Sequence, residues 1–205
     1  MRSYSRGNPT HGRSRMLLFF DTETTGIPRN YKAPASDTRN WPRLVQIAWL
    51  AVEEDGREIA SAEHIVRPEG FVIPADAARV HGISTERAQR EGVALAAVLD
   101  AIEAEMERAS ALIAHNVAFD EKILGAELLR AGRRNVVEGR PRRCTMQSST
   151  DWCRLPGRYG FKWPTLAELY AKLFAEELHG AHRALADVRA CARCYFELRR
   201  LGVMQ

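Results

Sequence analysis

The sequence predicts an α/β domain in which a mixed β-sheet is flanked by helices. Two observations carry that prediction. Three strand-like segments follow one another between residues 16 and 66, as in a meander. Beyond residue 84, segments with helical periodicity alternate with short apolar runs.

The elements follow in order. Met16 to Asp21 reads MLLFFD, a continuous apolar run suited to a buried central strand. Residues 28–42 hold Pro28, Asn30, Pro34, Asn40 and Pro42 and form a loop. Leu44 to Val52 reads as the second strand, Glu54-Asp55-Gly56 as a hairpin turn, and Ile59 to Val66 as the third strand. Ser84 is placed to cap a short helix, and Val93 to Arg108 has the period of a longer amphipathic one. Ala111 to Ala114 is a short apolar strand. A helix is expected from about Val117 to Ala131 and a fifth strand from Arg143 to Gln147. Helices near 165–175 and 183–201 finish the domain. No internal repeat or second domain is visible, so residues 16–205 are expected to form one unit behind a basic tail, residues 1–15.

That tail is rich in Arg, Ser and Gly and is expected to be disordered. It is Arg-rich and free of acid, like a mitochondrial presequence, but it lacks an apolar helical face. Translation starting at Met16 is the other reading. No apolar run approaches the roughly 20 residues of a membrane span, and residues 1–15 hold no apolar core of a secretory signal. Cys144, Cys153, Cys191 and Cys194 form one Cys-x-x-Cys pair only. They read as free thiols in a reducing cytoplasm rather than a zinc site. The net charge of +4 equals the four tail arginines, Arg2, Arg6, Arg13 and Arg15. The rest is therefore neutral, and attraction for a polyanion must come from local patches or bound cations.

The carboxylates are the informative residues. The first strand runs into DTETTG (21–26), and in an extended chain Asp21 and Glu23 point to the same side. Two carboxylates there repel unless a cation or proton lies between them. In the last helix, Ala184, Asp187, Val188, Cys191, Tyr195 and Leu198 fall on one side of the wheel, so Asp187 lies in an apolar stripe. An ionised carboxylate facing a core is costly unless it is paired or binds metal. A salt bridge to an arginine is the alternative for Asp187. Asp120 shares a helical face with Val117, Leu124, Leu128 and Ala131, but Glu127 falls on that face too, which weakens the inference. Glu127 is expected to snorkel, or the stripe to meet solvent there. Four such acids suit hard divalent cations, and two ions about 4 Å apart can clamp a phosphodiester. His182 precedes Asp187 by five residues and has the right ordinary pKa for a general base.

Taken together, these segments resemble the DEDDh exonuclease family, over essentially residues 16–201. DTETTG (21–26), HNVAFD (115–120) and HRALAD (182–187) are similar to its three motifs. VHGIS (80–84) and WPTLAELY (163–170) are similar to further family segments. The resemblance implies a ribonuclease H-like fold with a five-stranded mixed sheet. It implies two divalent ions, Mg²⁺ or Mn²⁺, with Asp21 shared between them. Glu23 and Asp187 would hold one, Asp120 would support the other, and His182 would be the general base. It places Thr24, Thr25, Gly26, His81, His115 and Asn116 at the substrate. The implied reaction is 3′–5′ hydrolysis of a single strand, releasing nucleoside 5′-monophosphates, with proofreading or DNA repair as the setting.

Single-stranded DNA 3′ ends are the favoured substrate. RNA 3′ ends or short oligoribonucleotides are the alternative, because sugar discrimination lies in pocket detail. A DNA polymerase is a conceivable partner, and nothing in the sequence selects an oligomeric state. A binding module with a vestigial site would show an altered motif position, and none is altered. Arg130, Arg133, Arg134, Arg140, Arg142 and Arg143 could track a phosphate backbone or form a solvated basic loop. Trp41, Trp49, Trp152 and Trp163 could stack on bases, though packing is the plainer role for most of them.

Overall fold

The computed structural model describes residues 16–179 and 183–204. The basic tail, residues 1–15, and His182 lie outside the described residues. The apolar run at the start becomes β1 (Met16–Thr24), followed by β2 (Leu44–Val52) and β3 (Glu58–Ile65). These three form the antiparallel meander. Three helices come next: α1 (Ala75–His81), α2 (Thr85–Glu91) and α3 (Leu95–Arg108). Then β4 (Ala109–Ala114), α4 (Val117–Arg130) and β5 (Arg142–Cys144) complete the main sheet. Its order is β3-β2-β1-β4-β5, with β4 parallel to both β1 and β5. The chain ends with α5 (Thr145–Cys153), the small hairpin β6 (Pro156–Gly157) and β7 (Gly160–Phe161), α6 (Leu166–Phe174) and α7 (Ala184–Arg200). This is the five-stranded mixed sheet with flanking helices that the sequence predicts.

Strand alternation divides the core into two layers. Met16, Leu18 and Phe20 of β1 pack with α3 and α4, including Leu99, Ile102, Ile123 and Leu124. Leu17 and Phe19 pack on the opposite face with α7, including Val188, Cys191, Tyr195 and Leu198. Phe19 and Tyr195 meet edge to face at 5.3 Å, a pair worth about 0.5–1.5 kcal/mol beyond its buried area. The helical wheel of α7 is therefore correct in its buried stripe.

Several local expectations shift. Val93 is not helical: it bridges to Val66, its N–H donating to the Ile65 carbonyl at 2.8 Å, and α3 begins at Leu95. The fifth strand is shorter than predicted. It stops at Cys144, whose sulfur accepts the Gln147 N–H at 3.5 Å and so caps α5, a helix the periodicity did not reveal. Helix α1 and the β6–β7 hairpin were also not foreseen. Ser84 caps α2 as expected, accepting the Arg87 N–H at 3.2 Å. The four cysteines are free and buried. Among the described residues no helix is long and apolar enough to cross a membrane.

Glu127 overturns its sequence reading. It neither snorkels nor meets water, being fully buried. One of its carboxylate oxygens accepts from Arg43 Nε at 2.8 Å, from Arg130 Nη1 at 2.9 Å and from the Leu44 N–H at 3.0 Å. Arg130 also donates to the Thr38 and Trp41 carbonyls at 2.5 and 2.6 Å. A buried ion pair of this kind fixes geometry more than it stabilises. Here it ties α4 to the loop that leads from β1 into β2.

Candidate metal centre

The same alternation that divides the core aims the β1 acids. Asp21 and Glu23 have the parity of Leu17 and Phe19, so they face α7. Asp187 lies there, in the first turn of α7. One carboxylate oxygen from each of Asp21, Glu23 and Asp187 lies within 4.8 Å of the others. Thr22 has the opposite parity and faces α4. Its backbone N–H and its hydroxyl both donate to Oδ1 of Asp120, at 3.0 and 2.7 Å. Thr22 is the contact that sequence reasoning missed, and strand parity would have exposed it: whatever faces away from Asp21 must meet α4.

The ranking of the acids also changes. Asp187 is half-buried, at the mouth of its stripe. Asp120, least supported by periodicity, is only 3% exposed. It reaches this position because α4 starts abruptly. Asn116 takes a left-handed φ of 78°, and its carbonyl accepts the Phe119 N–H at 2.9 Å.

The electrostatics are those of a site built around positive charge. Burial raises the Asp21 carboxyl well above its ordinary range, and Asp120, Glu23 and Asp187 push it further. Burial, then Asp187 and Asp120, raise Glu23 from 4.5 to about 7. Burial raises Asp120 from 3.8 to about 7, against the two Thr22 hydrogen bonds, which lower it. Oxygen-only donors at this spacing fit hard divalent cations.

A consequence for stability follows. Without metal, the folded protein holds protons between about pH 4 and pH 7 that the unfolded chain has released, so stability falls as pH rises through that window. At about 1.4 kcal/mol per unit, Glu23 alone contributes on the order of a few kcal/mol. Magnesium is therefore expected to raise the unfolding midpoint little near pH 5 and strongly near pH 8, where a cation at a hundred times its Kd adds about 2.7 kcal/mol. Thermal unfolding with chelator or magnesium at both values checks this, and an equal magnesium effect at both would count against the site.

The other expected site residues separate into roles. The Thr24 hydroxyl donates to the Gly26 carbonyl at 2.6 Å. Thr25 is clasped to Arg43: its N–H donates to the Arg43 carbonyl and its hydroxyl accepts the Arg43 N–H, both at 3.0 Å. Glu127 thus anchors, through Arg43, the loop that carries Thr25. Gly26 sits at φ 145° with open space around it. His115 has both ring nitrogens engaged, Nε2 with the Pro164 carbonyl at 3.0 Å and Nδ1 with the Thr145 hydroxyl at 2.9 Å. Since a carbonyl only accepts, Nε2 of His115 carries a hydrogen, and burial lowers its pKa and so favours the neutral ring. It lines a cavity of about 310 Å³ with Asp21, Asp187, Thr165 and Leu166. His81 is buried at the end of α1, Nδ1 accepting the Ile83 N–H at 3.2 Å. It lines a second cavity of about 310 Å³ with Gln46, Glu63 and Arg183.

Most of the basic segment is engaged within the protein. Arg133 pairs with Asp100 and Glu103, Arg142 with Glu121, Arg140 with the Val136 carbonyl, and Arg143 with the Tyr195 hydroxyl. Trp41 and Trp49 are core residues, whereas Trp163 is 61% exposed.

Comparison with known proteins places the chain. A family profile described as Exonuclease, RNase_T, matches residues 18–195. No curated protein matches. Among solved structures, E. coli exonuclease I with zinc and single-stranded DNA is 20% identical with a TM-score of 0.72, covering 92% of this chain and 41% of that one. The same E. coli enzyme in complex with a dA16 oligonucleotide is 19% identical with a TM-score of 0.71, covering 91% and 41%. A moderately thermophilic exonuclease I from Methylocaldum szegediense is 23% identical with a TM-score of 0.68, covering 91% and 40%. At these identities the likeness establishes the fold, and this chain spans about two-fifths of the length of those proteins.

Proposed function

From the premise that this chain belongs to the RNase_T exonuclease family, we propose that it removes nucleotides from the 3′ end of single-stranded nucleic acid, DNA favoured, with two divalent ions. The observation that carries this reading is the convergence of Asp21, Glu23 and Asp187 within 4.8 Å, with Asp120 held beside them by Thr22. Asp21 is central to the cluster and would be shared between the ions. Glu23 and Asp187 would complete one site and Asp120 would support the other. Mg²⁺ or Mn²⁺ bound there would supply charge stabilisation for the attacking and leaving oxygens.

The chain's own residues supply the rest. The Thr24–Gly26 loop, shaped by the Thr25–Arg43 clasp, stands at the end of β1 where a terminal nucleotide would be held. His182 would take the proton from the attacking water. The 3′-oxygen then leaves, and a nucleoside 5′-monophosphate is released. DNA is favoured because the E. coli relatives of the same fold are seen with single-stranded DNA and with dA16. The cluster itself is indifferent to the sugar, so RNA remains the second substrate to compare.

Matched 5′-labelled DNA and RNA strands, incubated with magnesium or with excess chelator, test the proposal. The expected result is a ladder shortening from the 3′ end, faster on DNA and absent with chelator. Internal cuts, shortening from the 5′ end, or undiminished activity in chelator would overturn it.

A further inference from the structure

One surface feature lies outside the metal centre yet adjoins it. The segment from Arg154 to Trp163 reads RLPGRYGFKW and contains three cations, three aromatics and no acid. It folds as β6 and β7, with Pro156 opposite Phe161 and Gly157 opposite Gly160, around the turn Arg158-Tyr159. The Lys162 N–H donates to the Leu155 carbonyl at 2.9 Å and closes the base of the hairpin.

The aromatics are turned outward. Tyr159 is 89% exposed, Phe161 50% and Trp163 61%. Aromatic rings of this size are normally covered, and three within five residues make a patch that calls for an occupant. They occupy alternate positions in the sequence, Phe161 closing β7 and Trp163 following it by two residues.

Charge and position identify the occupant. The Arg158 guanidinium lies 5.2 Å from the Tyr159 ring centroid. Arg158 has no ion pair among the described residues, whereas Lys162 is neutralised by Glu168 at 2.5 Å. The hairpin runs directly into the catalytic cavity. Trp163 is followed by Pro164, whose carbonyl accepts from His115, and then by Thr165 and Leu166, which line the cavity with Asp21 and Asp187. A flexible polyanion with flat apolar bases, fed toward the carboxylates, matches a cationic aromatic ledge at the entrance.

We propose that the β6–β7 hairpin is a stacking platform for bases of the single strand upstream of the scissile bond, with Tyr159, Phe161 and Trp163 as the stacking surfaces and Arg158 meeting a phosphate. This rests on the exonuclease reading for the identity of the strand. The platform makes binding depend on strand length: a trinucleotide ends short of the hairpin, and a longer strand reaches it.

The test measures affinity, not turnover, so that the two readings can fail separately. Fluorescence anisotropy of a labelled oligothymidylate of about twelve nucleotides, in excess chelator, reports binding to the intact strand. The triple variant Tyr159→Ala, Phe161→Ala, Trp163→Ala is expected to lose at least about tenfold in affinity for it, and less than about twofold for a trinucleotide. Arg158→Glu, which leaves the rings in place, is expected to lose affinity and flatten the salt dependence. Trp41 and Trp49 are buried and Trp152 is half-buried beneath Lys172, so most of the quenching of tryptophan fluorescence by the long strand should come through Trp163 and be lost in Trp163→Phe. Unchanged long-strand affinity in the triple variant, or quenching undiminished in Trp163→Phe, overturns the platform. Hairpin-dependent capture on anionic phosphatidylglycerol vesicles, with no effect on oligomer binding, overturns it in favour of a membrane surface. Absence of hydrolysis in wild type, with hairpin-dependent binding retained, instead sinks the exonuclease reading and leaves the platform standing.

Discussion

Asp21→Asn is expected to lower kcat by about 10³–10⁵-fold while leaving the protein folded. Asparagine keeps the shape and one acceptor oxygen but removes the charge from the centre of the cluster. The Asp21 carboxyl is driven well above its ordinary range, by burial first and then by all three partners. Those penalties mark the place where positive charge is most needed. Two measurements separate this from general damage. The metal-free variant should be at least as stable as wild type near pH 8, because a repelled, desolvated carboxylate has been neutralised. Its unfolding midpoint should no longer rise with magnesium. Full activity in Asp21→Asn would remove the metal centre from the reaction altogether.

Replacing His182 with alanine is expected to cost about 10²–10⁴-fold in kcat, with KM and the magnesium-induced stabilisation retained. His182 precedes Arg183, the residue that enters α7, and Asp187 lies in the first turn of that helix. His115 lines the cavity with Asp21 and Asp187, but both its ring nitrogens are engaged and burial lowers its pKa. It can orient and fill, but it cannot accept a proton at Nε2. The acidic limb of the pH–rate profile should disappear in His182→Ala. An unchanged rate and profile would assign the proton to another group.

The carboxylates show where sequence legibility ends. On the α4 wheel, Asp120 and Glu127 lie on one face and look equivalent. Burial does not distinguish them either, since both are enclosed. Their partners do. Glu127 receives two guanidinium groups and a backbone N–H, and its charge is matched within the protein. Among the described residues Asp120 receives hydrogen bonds only from Thr22, on a strand that also carries Asp21, so no cationic side chain there matches its charge. Periodicity reports which side of a helix faces inward and contains nothing about what stands opposite. The same limit explains the arginines of residues 130–143, for which a phosphate track and a solvated loop are both open in the sequence and which are mostly held by internal acids, carbonyls and a tyrosine hydroxyl. It also explains Trp163, which composition could not separate from the core tryptophans.

The sequence by itself determined the strand meander, the alternation that follows, the parity of Asp21 and Glu23, and the apolar stripe that carries Asp187. Each of these depends on the chain's local period, two for a strand and 3.6 for a helix, and a local period is written in one dimension. Only the tertiary structure decided that β1 lies between β2 and β4, so that its two faces meet α7 and α4 at once. It decided that Thr22 holds Asp120, that Glu127 is matched by Arg43 and Arg130, and that the hairpin aromatics remain uncovered beside the cavity. Those outcomes depend on which distant residues pack together, and burial and charge then follow from the neighbours a side chain meets.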